Sequence, residues 1–236
     1  MSDFKSRLAD RVRARRDRAI ADLGAIYDYH TDMIAAWTVA SAEFAAGRGV
    51  LYPNRPVTNT PVTAADLLAR THNYLAVRHT QATFLSVLGA FEEYLADLLR
   101  IWLTAYPRSM GENQVKVRTI VDLPDKDAIL AAIVDQELRA VTFDKPAEWF
   151  DYLASRTKVR CTTADIAIFT EAKAGRDVIA HNAGLVNRTY LFKAGSLARF
   201  NVGEKLDVPE PYHRDVWATV RRLSDEAGTG LAAAAG

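Results

Sequence analysis

With 236 residues, nearly half of them hydrophobic, the chain is long enough to bury one sizeable core or two small ones. Its formal net charge of +1 makes no overall electrostatic case for nucleic acid, so any such case has to come from local clustering. A single cysteine, Cys161, excludes an internal disulfide and a thiolate metal cluster and fits a reducing compartment; no apolar signal core opens MSDFKSRLADRVRARRDR, and no run approaches the roughly 20 apolar residues that span a bilayer, so a cytoplasmic protein without membrane segments is expected.

From Asp3 to about Ala46, apolar positions recur as Phe4, Leu8, Val12, Ala19, Leu23, Ile26, His30, Met33 and Trp37, mostly at alternating spacings of four and three, which predicts one long amphipathic helix. GRGVLYPNRPVTNTP interrupts it as a linker, since its glycines and prolines suit neither helix nor strand. Thr63 with Asp66 then forms a variant capping box for a second periodic run through Leu67, Thr71, Tyr74, Arg78, Phe84, Leu88, Phe91, Leu95, Leu98 and Trp102, closed by Pro107. The short linker predicts that the two long helices pack antiparallel. DKDAILAAIVDQELRA and KPAEWFDYLASRT predict two shorter helices, the second capped by Asp144 with Pro146 in its first turn and with Trp149 and Phe150 in the core. Thr162 and Asp165 start a helix through Ile166, Phe169, Ala172, Ala174 and Val178 that stops near Asn182, where Gly184 offers a left-handed exit. In RTYLFKAGSLARFNVGEKLDV, β-favouring pieces divided by Gly195 and Gly203 allow a small hairpin near 189–208 or an irregular extension. A last helix in PYHRDVWATVRRLSDEA precedes GTGLAAAAG, whose small side chains offer little to pack and are expected to fray. The predicted class is all-α.

Histidines stand at 30, 72, 79, 181 and 213, none beside Cys or carboxylates at a zinc-like spacing; His72 and His79 are about 10 Å apart along a helix axis, too far to share an ion, so neither a metal nor a cofactor is expected. Phosphate-binding glycine loops and the Gly-x-Ser-x-Gly elbow are missing. RVRARRDR places Arg11, Arg15 and Arg18 on one helical face that could track a phosphate backbone, although a solvated face is the plainer reading.

GRDVIAHNAGLVNRTYL sets Arg176 and His181 five positions apart at a helix end. Singly, each complements the negative end of the helix dipole. Together, a guanidinium that grips phosphate and an imidazole that moves protons are what metal-free RNA cleavage needs. Five residues turn an ideal helix by about 140° and advance it about 7.5 Å, so one helix does not aim both groups at one point. Either Arg176 reaches round or two copies of the motif face each other across a two-fold axis. Asp177, four before His181, could orient the imidazole or form a plain surface pair.

This run resembles the signature of the HEPN superfamily (higher eukaryotes and prokaryotes nucleotide-binding), in which an Arg, four to six residues and a His close a helix. The polar residue after Arg176, the Asn after His181, the continuation Gly184-Leu185-Val186-Asn187 through Tyr190-Leu191, the later VGEKLDV and the upstream FLSVLGAFEEYLADLL are similar to its ribonuclease-like branch. The resemblance spans roughly 70–227. It implies an all-α bundle, homodimerisation, and metal-independent endoribonuclease activity by 2′-hydroxyl transesterification, in a toxin or phage-defence system with an antitoxin or other defence partner. It further implies Arg176 and His181 as the catalytic pair, Asp177 and Asn182 as supporting residues, and RNA as substrate. Arg11, Arg15 and Arg18 lie outside the span of the resemblance; if RNA is the substrate, their shared face is expected to guide it. Non-catalytic members that bind nucleotide or RNA, or act as assembly modules, are the alternative. One branch carries a modifiable Tyr after its motif; the third position after His181 here is Gly184. The expected organisation is an N-terminal helix and linker, 1–62, packing on the core of a HEPN-like domain, 63–228, with a disordered tail, 229–236.

Overall fold

In a computed structural model, residues 2–48, 62–110, 121–143 and 145–236 are described; the linker 49–61 and the proposed cap Asp144 lie outside them. Eight α-helices are present among the described residues: α1 (Ser2–Ala45), α2 (Ala64–His72), α3 (Thr80–Ala105), α4 (Lys126–Phe143), α5 (Pro146–Thr157), α6 (Thr163–His181), α7 (Arg188–Ala194) and α8 (Glu210–Ala235). The all-α class is confirmed.

The centre is α3. Its buried face of Phe84, Leu88, Phe91, Leu95, Leu98 and Leu99 is touched from several sides, and each such side chain contributes about 1.5–3 kcal/mol by leaving water. Phe4 meets Tyr106, Arg15 pairs with Asp97, His30 reaches Thr83 and Trp37 meets Tyr74, so numbers rise along α1 as they fall along its partner: the long helices are antiparallel. The α8 helix closes the bundle antiparallel to α1, with Trp217 Nε1 donating to the Leu23 carbonyl and Arg16 to Thr229. Leu8, Val12, Ala19 and Leu23 of α1 join the same buried cluster as Phe91, Trp149, Phe169 and Val220.

Local chemistry explains most boundaries. The reciprocal Thr63–Asp66 capping box is formed, and Pro146 opens α5 in its first turn. Thr162 does precede α6, but its backbone N–H and hydroxyl both donate to Glu226, while Asp165 takes the Arg222 guanidinium at 2.8–2.9 Å; the expected local cap is replaced by links between helices. The second periodic run is interrupted by a π-helical turn, Asn73–His79, where the Thr80 hydroxyl donates to the Leu75 carbonyl five residues back.

Two further expectations fail. The region 189–208 holds no hairpin: α7 and a 3-10 turn, Gly195–Leu197, occupy it, because Asn187 accepts the Tyr190 N–H and caps a helix that strand propensity hides. Strand pairing is reduced to one antiparallel bridge, Leu185 to Lys205. Residues 229–236 are not a loose tail either. They continue α8, with Leu231 and Ala235 fully buried, because the small side chains allow close helix approach. A Cβ on Gly228 would lie 2.5 Å from the Tyr94 hydroxyl and 2.7 Å from Arg16 Cβ. Gly228→Ala is therefore expected to lower stability by about 1–3 kcal/mol in urea unfolding, although alanine is the better helix former; an unchanged midpoint would mean that α8 does not seat there.

Candidate functional site

The motif ends α6 in the way its glycine forecasts. Gly184 is left-handed with φ +76°, Ala183 precedes it at +50°, and both Asn182 and Gly184 donate backbone N–H groups to the Val178 carbonyl at 3.0 Å. The chain then doubles back. The Leu206 N–H donates to the Gly184 carbonyl at 2.8 Å, and α7 packs against α6. The Tyr190 hydroxyl donates to buried Glu171 at 2.6 Å, which fixes α7 relative to α6.

Between these helices lies a cavity of about 560 Å³ lined by Lys173, Asp177, His181, Asn182, Tyr190 and Lys193 among others, with Pro146 and Thr142 across from them. His181 is exposed on this wall. Asp177 does not serve it by any hydrogen bond among the described residues. Its carboxylate instead gathers cations: Arg176 at 3.0 Å, Lys193 at 3.1 Å and Lys173 at 3.4 Å. Arg176 also reaches Glu92 of α3 at 3.2 Å, and Lys173 approaches the same carboxylate at 3.5 Å. Three cations thus share two carboxylates beside an imidazole, and the site carries a positive surplus.

The two acids differ. Burial would raise the Asp177 carboxyl, but Lys173, Lys193 and Arg176 outweigh it and hold its pKa below the usual value. At Glu92 burial prevails over Lys173 and Arg176, with Asp177 adding repulsion, and the pKa is raised. Asn182 has a structural role: its amide donates to the Leu185 carbonyl and closes the turn.

Arg176 and His181 are therefore close in sequence but separate in engagement. Arg176 is committed to two carboxylates and does not line the cavity; His181 does. Of the α1 arginines, two have acidic neighbours of their own. Arg15 is tied to Asp97 at 2.9 Å, Arg18 lies 3.8 Å from Asp22, and Arg11 is exposed. The cleft beside Arg15 and Arg18 is also lined by Asp22, Glu93 and Asp97, whose charge opposes a phosphate chain.

Sequence reasoning passed over Lys173, Lys193 and Glu92. Lys173 stands four before Asp177 and was legible as an i,i+4 pair, whereas Lys193 and Glu92 come to the site only through packing. It also passed over a second polar cluster. His30, His79 and His213, from three separate segments, stack with ring centroids 5.1 and 4.1 Å apart and planes within 7° and 11°. Imidazole lone pairs lie in the ring plane, so parallel rings do not aim them at a common point. Among the described residues no group of three His, Cys, Asp or Glu side chains is placed to hold a metal ion; the His72 side chain lies outside them. No helix among them is long and apolar enough to cross a membrane.

Comparison with protein-family models, with curated proteins and with solved structures finds no match for the chain.

Proposed function

We propose that the protein is a HEPN-type, metal-independent endoribonuclease acting in the cytoplasm as a homodimer, in a toxin or phage-defence setting. The observation that supports this most is the exposed His181 on the wall of a cavity whose other charged groups carry a cationic surplus. In this reading His181 takes the proton of an RNA 2′-hydroxyl as that oxygen bonds to phosphorus. The bond from phosphorus to the 5′ oxygen breaks, the imidazole of a second copy returns a proton to that oxygen, and the products are a 2′,3′-cyclic phosphate and a 5′-hydroxyl. The cations stabilise charge growing on the phosphoryl oxygens.

Pairing of two copies is supported by surface composition. Leu185, Phe192, Leu197 and Val202 all rank among the exposed large hydrophobics, and all fall in the stretch directly after the motif. Burying them against a second copy would bring two motifs to one cleft.

A second reading, a non-catalytic HEPN module that binds nucleotide or RNA, is favoured by one observation: Arg176 is held by Glu92 and Asp177 and does not line the cavity. Labelled RNA incubated with purified protein in EDTA separates the two. Cleavage to cyclic-phosphate ends is expected, with His181→Ala at least about 100-fold slower at unchanged folding. Intact RNA with the wild type, or equal rates for the two proteins, would sink the ribonuclease.

A further inference from the structure

We infer that Lys193, rather than Arg176, is the side chain that binds phosphate in the His181 cavity, and that Asp177 is the counter-ion it leaves when phosphate enters. For the polymer that carries the phosphate, the inference rests on the ribonuclease reading; for the phosphate chemistry it stands on the side chains alone.

Three cations touch Asp177, and their other commitments differ. Arg176 also bridges to Glu92 and is not among the residues that line the cavity. Lys173 is the most buried of the three, lies between Glu92 and Asp177, and sits over the Trp149 ring with its ammonium 5.4 Å from the centroid. Both are held in place by at least two neighbours. Lys193 lines the cavity, keeps a third of its side chain exposed, and among the described residues contacts one carboxylate, Asp177, at 3.1 Å.

An ammonium has three donors and a compact charge, so a phosphoryl oxygen can replace a carboxylate oxygen without a demanding geometry. The pair is partly open to the cavity, so a phosphoryl oxygen entering there can take the place of the carboxylate oxygen on the ammonium. The backbone that carries Lys193 is not loose. Asn187 caps α7, and the Tyr190 hydroxyl anchors it on Glu171. Lys193 is thus presented on a fixed helix beside exposed His181, while Asp177 holds it out of solution until an anion competes. Lys173 and Arg176 stay behind and keep Asp177 neutralised once Lys193 departs.

The probe is fluorescein-labelled 2′-O-methyl RNA, which can bind but has no free 2′-hydroxyl to attack phosphorus. Lys193→Gln is expected to weaken binding about tenfold and to flatten the log–log salt dependence by about 0.7, one single-strand phosphate, while Lys193→Arg restores most of the affinity. Asp177→Asn is expected to tighten binding, and adding Lys193→Gln should remove that gain. Thermal melts within a few degrees of the wild type exclude misfolding.

An unchanged affinity and salt slope in Lys193→Gln, with the loss appearing in Arg176→Gln instead, overturns the inference. If the wild type cleaves ordinary RNA but Lys193→Gln changes neither KM nor salt slope, the phosphate site falls and the ribonuclease stands. When Lys193 dependence is seen in binding but ordinary RNA stays intact, the site stands and the ribonuclease falls. Lys193-dependent binding of ATP without RNA binding assigns the site to a free nucleotide phosphate. Binding of neither overturns both.

Discussion

Glu171→Ala is expected to cost about 3–5 kcal/mol and to lower the thermal midpoint by more than any surface substitution in this protein, because it strips a buried acceptor from three donors at once. The carboxylate is almost wholly inside the protein. Its Oε1 accepts the Tyr190 hydroxyl at 2.6 Å and Arg199 Nε at 3.2 Å, and its Oε2 accepts the Tyr212 hydroxyl. Burial first, and Glu171 next, raise the pKa of both phenols, that of Tyr190 to about 12, so both stay protonated donors across the physiological range. Arg199 adds a second tie by lying 3.3 Å over the Tyr212 ring. Alanine leaves a guanidinium and two hydroxyls without their partner. Glu171→Gln should recover part of the loss, since its amide oxygen still accepts while its NH2 faces a donor. Because Tyr190 fixes α7 under Lys193, the variant should also bind 2′-O-methyl RNA more weakly than its remaining folded fraction allows. An unfolding free energy from urea within about 0.5 kcal/mol of the wild type would refute the hub.

Acid is expected to unfold the protein above the range where ordinary carboxylates titrate. His30 and His213 are buried, and each puts one ring nitrogen on the Thr83 hydroxyl, at 2.9 and 3.1 Å. One arrangement satisfies all three groups: both rings donate to Thr83, and Thr83 donates to the His79 carbonyl at 3.1 Å. The far nitrogens, His30 Nε2 and His213 Nδ1, then remain as bare acceptors, and neither has a hydrogen-bond partner among the described residues. Protonating either ring would create a buried N–H with no acceptor among the described residues. Burial, with repulsion from neighbouring histidines, lowers both pKa values, that of His213 to about 3. Around the stack stand Tyr27, whose hydroxyl lies 3.4 Å from Glu210, and Arg214, 3.9 Å from the same carboxylate; Glu210 pulls weakly the other way on His30.

The sign follows from linkage. Folding holds these groups below their unfolded pKa of about 6.5, so the unfolded chain binds more protons at any pH beneath that value. Stability is complete above about pH 6.5 and falls as the pH drops toward the folded values, by up to about 1.4 kcal/mol per unit for each histidine. Urea unfolding at pH 7 and pH 5 should show the loss, and His213→Gln, which keeps a donor for Thr83 but cannot titrate, should remove roughly half of it. Equal slopes in the two proteins would show that the stack is not what responds to acid. A lone buried histidine has the same preference. Placing two, His30 and His213, on one hydroxyl makes the response steeper and ties it to the contact of α1 with α3 and α8.

The sequence by itself determined the all-α class, the antiparallel pairing of its long helices, and the place where the motif helix stops. These rest on signals carried within a few residues: apolar spacing along α1 and α3, Thr63 with Asp66, Pro146, and Gly184 in its left-handed turn. Where a local signal was weak, reading it alone misled. Aromatic and β-branched residues near 189–208 suggested strands, yet Asn187 caps a helix there; small residues after Gly228 suggested fraying, yet they let α8 approach Tyr94, Arg16 and Val159. The charge pattern of the site was decided by tertiary structure, because an ion pair depends on which side chains packing brings within a few ångströms. Arg176 is engaged by Glu92, 84 positions away, and Lys193 meets Asp177 from another helix. The same holds for the histidine stack, whose members lie 49 and more positions apart and are gathered only when α1 and α8 close on α3. Sequence placed Arg176 and His181 on the last turns of one helix; packing turned His181 to the cavity and gave Arg176 to the carboxylates.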